Sequence, residues 1–223
     1  MMRSDSIVEC RGVRYGYGSV GDEATVLRGL DLTVHSGEIV ALTGPSGSGK
    51  STLLRLLGCL DRADAGKVEI MGVDTTTASA RQRRRLRRDR VGYVRQNPSD
   101  NLIEHMTVAQ HFRMAKAMGR SRVKPGPLLN RLGLSGKESH KPKQLSGGEQ
   151  QRVAVGFAAT GRTGLLLLDE PTGQLDHRVG QQVLDALEVL RDGGQTIVIA
   201  THDPETAGRA DRVYRLNSGK VIE

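Results

Sequence analysis

The sequence predicts an α/β fold with one main core and a smaller helical lobe. Three observations carry this. Short apolar runs at 39–42 and 165–168 stop at a glycine loop and at a pair of acids, the pattern of strands covered on both faces. Strand-like and helix-like segments alternate over the last sixty or so residues. Between about 97 and 143 the pattern changes, with Leu and Met recurring at helical spacing. A chain of 223 residues exceeds one average domain and falls short of two.

The elements follow in order. Residues 7–13 read as a first strand, and Gly16 to Gly21 as a glycine-rich loop. The strand at 39–42 leads into a helix over 51–57, whose Leu53, Leu54, Leu56 and Leu57 recur with helical spacing. Residues 68–71 read as an antiparallel edge strand, 77–90 as a basic surface helix and 91–94 as a strand. Pro125, Pro127, Gly133 and Gly136 break 97–143 into short helices. A helix over 148–159 precedes the strand at 165–168. Helix 178–191, strand 196–200 and helix 204–210 complete the strand–helix–strand series. Residues 212–216 and 220–222 read as a hairpin around Asn217, Ser218 and Gly219.

Composition narrows the function classes. Aromatic residues make up 3% of the chain and Trp is absent, which excludes a recognition surface built on stacked aromatics. The two cysteines, Cys10 and Cys59, read as small buried apolar residues in a reducing compartment. There is no apolar run of about 18 residues and no long apolar stretch near the first residues, so the expectation is a cytoplasmic chain.

The run Gly44-Pro45-Ser46-Gly47-Ser48-Gly49-Lys50-Ser51-Thr52 fits the full phosphate-loop spacing and lies between an expected strand and an expected helix. Its glycines let backbone N–H groups turn inward around phosphate, and the helix N-terminus adds unpaired donors. Lys50 can reach the β and γ phosphates and Ser51 can ligate Mg²⁺. Asp169 and Glu170 end a buried strand, where open parallel sheets bind ligands. Asp169 suits Mg²⁺ held through water. Glu170 suits polarisation of an attacking water as general base.

With further motifs the chain resembles the ATP-binding cassette ATPases of membrane transporters. Leu145-Ser146-Gly147-Gly148-Glu149-Gln150-Gln151-Arg152 is similar to the family signature. Gln96 stands at the glutamine loop, and residues 169–176, ending at Asp176, resemble the acidic strand end and the loop that crosses the dimer interface. His202 stands at the switch histidine. Tyr17 matches the aromatic that packs on adenine, with Tyr15 as a rival because Tyr15-Gly16-Tyr17-Gly18 permits two registers. The resemblance spans about 7–223.

It implies a P-loop NTPase core over about 1–96 and 160–223, a small antiparallel β subdomain and an inserted helical subdomain over about 97–159. It also implies a head-to-tail homodimer in which Ser146, Gly147, Gly148 and Glu149 of one copy cap the ATP held by the other. Gln96 would sense γ-phosphate and touch Mg²⁺ or water, and Asp176 would order the opposite site. A separate transmembrane permease is the implied partner, which would hold the chain at the inner face of the cell membrane. The stretch 57–62 resembles the macrolide-export, lipoprotein-release and division-associated branch. Amino-acid importers share most of these motifs, and non-transport ATPases of the same fold act on nucleic acid or ribosomes.

The chain departs from the family pattern in places. Phe157 takes the usual arginine position, Gln174 stands where Asn or Ala is common, and 161–164 lacks the usual proline. Gly156 implies a cost of about 1 kcal/mol in a helix interior. Arg81, Arg83, Arg84, Arg85, Arg87, Arg88 and Arg90 crowd one segment and supply much of the +8 formal charge. A solvated face, a contact with anionic lipid or the permease, and a nucleic-acid contact are all open readings. No helix-turn-helix or zinc pattern accompanies the stretch, and no nucleic acid is expected as a partner.

Overall fold

The computed structural model describes residues 6–17, 25–117, 125–160 and 163–222. The chain runs β1 (Ser6–Gly16), β2 (Thr25–His35), β3 (Ile39–Thr43), α1 (Lys50–Leu57), β4 (Ala65–Ile70), β5 (Val73–Asp74), α2 (Ala80–Arg90) and β6 (Val91–Val94). It continues with α3 (Val108–Ala117), α4 (Pro125–Arg131), α5 (Gly147–Ala159), β7 (Leu165–Asp169), α6 (His177–Asp192), β8 (Thr196–Ala200), α7 (Pro204–Gly208), β9 (Arg212–Asn217) and β10 (Lys220–Val221). Short 3₁₀ turns occupy Pro98–Asn101 and Pro142–Gln144. Gly18 to Gly21 of the expected glycine-rich loop, and residues 161 and 162, lie outside the described residues.

Two sheets form. A four-stranded antiparallel sheet has the order β2-β1-β4-β5, and a six-stranded sheet has the order β10-β9-β3-β8-β7-β6. In the larger sheet β9, β3, β8, β7 and β6 pair in parallel, so their carboxyl ends share one edge. The chain is thus a P-loop NTPase core with an antiparallel sheet and inserted helices.

The run Leu165 to Leu168 shows why the sheet is buried on both faces. Leu165 and Leu167 join one apolar cluster with α1 and the small sheet. Leu166 and Leu168 join a second with α3, α4, α5 and α6. All four are 0% exposed, and at about 25 cal/mol per Å² such burial contributes roughly 1.5–3 kcal/mol per leucine. Cys10 and Cys59 are buried as expected, and burial pushes their thiols up to about 12 and about 11. No helix among the described residues is long and apolar enough to cross a membrane.

Several expectations need correction. β2 carries eleven residues and pairs with β1, a strand that the apolar pattern of the sequence does not mark. The expected edge strand at 68–71 is β4, which lies inside its sheet; the edge is the two-residue β5, and Met71 leaves the strand with φ 50°. The expected division of 97–143 into short helices holds: α3 and α4 are separate, and Pro125 and Pro127 lie in the first turn of α4, where proline is tolerated. The hairpin turn is Ser218-Gly219, both at positive φ, while Asn217 stays in β9. At Gly156 a Cβ would lie 2.4 Å from Leu132 Cδ1 and 3.2 Å from Phe112 Cζ. The cost in helix propensity is therefore offset by close seating of α5 against α3 and the end of α4. Phe157 packs edge-on against His111, with ring centroids 5.6 Å apart.

Candidate functional site

Parallel pairing sets the site. The strands β3, β8, β7 and β6 lie side by side, so the segments leaving their carboxyl ends meet along one edge. These are the phosphate loop after β3, Thr201 and His202 after β8, Asp169 and Glu170 at the end of β7, and Gln96 just beyond β6.

The loop needs its glycines. Gly44 sits at φ 139°, and a Cβ there would fall 2.1 Å from the Leu216 carbonyl oxygen. Gly49 sits at φ 103° directly before α1. Ser46 and Gly47 form the exposed bend, and the Ser48 N–H donates back to the Pro45 carbonyl at 3.2 Å. Lys50 is buried, and its Nζ donates to the carbonyls of Gly44 at 2.7 Å and Pro45 at 3.1 Å. The ammonium therefore lies across the loop. The buried Ser48 hydroxyl has no protein partner. Such a cradle of backbone donors, a cation and an unused hydroxyl suits phosphate oxygens.

Ser51 Oγ donates to Asp169 Oδ1 at 3.0 Å. Burial raises the Asp169 carboxyl above its usual range; the Ser51 hydroxyl pulls the other way, Glu170 adds to the rise, and Lys50 opposes it. Two hard oxygen ligands side by side fit a divalent cation of the Mg²⁺ class. Gln96 is exposed, and its Nε2 lies 3.7 Å from where a Cβ on Gly173 would sit, beside the segment that follows Glu170.

Glu170 is clamped. Its Oε1 lies 2.7 Å from His202 Nδ1, and its Oε2 accepts from the Thr201 hydroxyl at 3.3 Å. The Glu170 side chain is 14% exposed and that of His202 69%. Glu170 holds φ 47°, a left-handed conformation uncommon outside glycine, and its N–H donates to the Ala200 carbonyl at 2.9 Å. The sequence reading missed Thr201. A threonine after an apolar strand carries no signal of its own, although the following Asp203-Pro204 marks a helix start.

Tyr17 is 52% exposed, its hydroxyl lies 3.2 Å from Thr52 Oγ1, and Tyr15 meets it edge-on. Tyr15 itself packs on the apolar core. The geometry therefore favours Tyr17 as the aromatic facing the loop.

The signature segment sits elsewhere. Ser146 caps α5, where its backbone N–H donates to Glu149 Oε2 at 2.9 Å and its hydroxyl accepts from the Glu149 N–H at 3.3 Å. Glu149 also pairs with Lys137 at 2.9 Å. Both carboxylate oxygens of Glu149 are thus engaged in the cap and its ion pair. A Cβ on Gly147 would sit 3.5 Å from Leu175, and one on Gly148 would sit 2.0 Å from Val179 Cγ1, so α5 lies directly on the start of α6. There Asp176 caps α6 by accepting from the Val179 N–H at 3.0 Å. Among the described residues no hydrogen bond or ion pair joins 146–149 to 44–52.

This cap carries a pH prediction. The Ser146 N–H, then Lys137, hold the Glu149 carboxyl below the usual glutamate range. The stabilisation is therefore present above about pH 4.5 and lost as pH falls through the lower folded value. Glu149→Gln keeps a side-chain acceptor for the Ser146 N–H but cannot titrate. Thermal midpoints measured from neutral to acid pH should fall less for this variant than for the parent across that window; parallel curves would contradict the assignment.

The sequence model of the family described as ABC transporter matches residues 27–173. A macrolide export ATP-binding/permease protein of Aeromonas hydrophila is 42% identical over 225 residues, covering 99% of this chain and 34% of that protein. The macrolide export ATP-binding/permease protein of Shigella flexneri is 39% identical over 97% of this chain and 34% of its own length. The chain spans about a third of the length of these relatives. Among solved structures, a dimeric ATP-binding cassette in a post-hydrolysis state bound to ADP and Pi is 33% identical, with 97% of each chain covered and a TM-score of 0.83. The CbiO1 component of an ABC transporter complex of Clostridium perfringens is 26% identical, covers 98% of this chain and 88% of its own, and has a TM-score of 0.86.

Proposed function

The chain belongs to the ABC transporter family, and on that premise we propose that it is an ATP-hydrolysing unit that pairs head to tail around two ATP and drives a membrane permease. The observation that carries this reading is the row of groups on one sheet edge: Lys50 across the phosphate loop, Ser51 on Asp169, and Glu170 clamped by His202 and Thr201. Backbone donors of Gly44 to Thr52 hold the ATP phosphates, with Lys50 on the β and γ groups. Tyr17 packs on adenine.

Ser51, Asp169 and Gln96 would hold Mg²⁺, which would supply neutralisation of phosphate charge when bound. Glu170 takes a proton from water, and His202 fixes the carboxylate and reaches toward the γ-phosphate. Gly147 and Gly148 offer N–H groups of the α5 N-terminus, and Ser146 its hydroxyl, to ATP on the opposite copy. Glu149 preserves that N-terminus, and Asp176 orders the crossing loop. The chain sits at the inner face of the cell membrane through its permease, in an export or mechanotransmission system as the macrolide-export relatives suggest. The test is release of phosphate from ATP by the purified chain, alone and with the permease that co-purifies from membranes. Turnover supports the reading, and its absence in both preparations overturns it.

A further inference from the structure

Resting on the reading of a membrane-associated ATPase, we propose that the outward face of α2 docks directly onto an anionic lipid bilayer. Arg81, Arg84, Arg85 and Arg88 recur at i, i+3, i+4 and i+7, which places them on one stripe about 10 Å long. All four are exposed, while Leu86 on the opposite side is the buried residue of the helix. Arg83 and Arg87 turn away from the stripe and tie the helix to the protein, donating to the carbonyls of Ala78 at 2.9 Å and Cys59 at 2.7 Å.

The stripe is electrostatically unfavourable by itself. Arg81–Arg85 and Arg84–Arg88 are like-charged i,i+4 pairs. The first turn carries arginines and no acid, against the helix dipole. Among the described residues Asp89 is the one carboxylate that pairs with the stripe, shared by Arg85 at 3.8 Å and Arg88 at 2.6 Å. A helix held in such a conflict with its own charges fits a surface that meets negative charge from outside.

The chemistry favours lipid phosphate. All the basic residues of α2 are arginine, whose planar fork matches phosphate oxygens and is weakly hydrated. Base stacking and adenine readout in nucleic acid use aromatic or amide groups beside the cations. The face offers no aromatic, and the amide of Gln82 is consumed by the cap, where its Oε1 accepts from the Ser79 N–H at 2.8 Å. The placement leaves the nucleotide edge free. Cys59, the anchor of Arg87, lies past the end of α1 farthest from the phosphate loop.

Sedimentation with vesicles tests this on the full chain, without permease. The vesicles are phosphatidylcholine alone, or phosphatidylcholine with about a third phosphatidylglycerol. The chain should sediment with the anionic vesicles only and be released as salt rises from about 0.1 M to about 0.5 M. Arg81→Gln, Arg84→Gln and Arg85→Gln together should weaken partitioning roughly a hundredfold, with an unchanged circular dichroism spectrum. Removal of three charges elsewhere, by Arg11→Gln, Arg28→Gln and Lys143→Gln, should weaken it far less. Equal binding to both vesicles, or equal loss in the two triple variants, overturns the proposal. So does a DNA duplex that strips the chain from the vesicles through the same arginines. ATP hydrolysis is read on the same samples. Vesicle binding without hydrolysis supports the docking face while the functional reading falls; hydrolysis without vesicle binding overturns the docking face alone.

Discussion

Glu170→Gln should bind ATP as the parent does and hydrolyse it about 10²- to 10⁴-fold more slowly, the range lost when a general base is removed. The geometry makes this a clean substitution. Glu170 owes its φ of 47° to the backbone: its N–H bonds the Ala200 carbonyl and its own carbonyl accepts from the Gly173 N–H at 3.2 Å. Neither contact involves the side chain. A glutamine amide oxygen can still accept from Thr201, so the clamp keeps one of its two partners. What is lost is the basic oxygen that takes a proton. Thermal stability should therefore stay near that of the parent while phosphate release collapses. Full turnover in the variant would remove Glu170 from the base role.

Lys50→Ala should lower both ATP affinity and hydrolysis. Charge-assisted hydrogen bonds contribute about 1.5–3 kcal/mol each, so losing the ammonium at phosphate weakens binding by roughly 10- to 100-fold or more. The same ammonium bridges the Gly44 and Pro45 carbonyls, and the substitution removes those two bonds as well. A modest fall in thermal midpoint should accompany the loss, whereas Glu170→Gln should show none. ATP titration by calorimetry, beside thermal unfolding of both variants, separates the two effects. Unchanged ATP affinity in Lys50→Ala would place the phosphates elsewhere.

Legibility in the sequence followed the physics of each element. Leu165 to Leu168 could be read as a doubly covered strand because consecutive leucines face opposite clusters and both are apolar. β2 was hidden because its buried positions do not keep period two. Leu27 and Leu30 are three apart, and the register jumps between the pairs Arg14–Arg28 and Val13–Leu30, skipping Gly29 at φ 86°. A bulge of this kind shifts the alternation that marks a strand. The edge assignment of β4 failed since a two-residue neighbour such as β5 leaves no pattern to read.

The site divided in the same way. The phosphate loop and the acidic pair were legible because parallel strands deliver their last residues to one edge, so sequence position fixes spatial position; His202 entered through resemblance to the family. Thr201 was not legible, since its contact with Glu170 depends on β7 and β8 being neighbours. Glu149 entered through resemblance as a nucleotide contact. Ser146 and Glu149 also carry the Ser-x-x-Glu spacing of a capping box, and the geometry uses it that way. Tyr17 was separable from Tyr15 only once the Thr52 hydroxyl was seen beside it.

The account depends on the signature end of α5 completing a phosphate site that its own chain does not reach. The direct measurement is a structure of Glu170→Gln with ATP and Mg²⁺. Two copies should lie about a two-fold axis, with Ser146 of each within hydrogen-bond distance of the γ-phosphate held by Lys50 of the other. A nucleotide-loaded single copy, or a pair with both Ser146 hydroxyls away from phosphate, would contradict it.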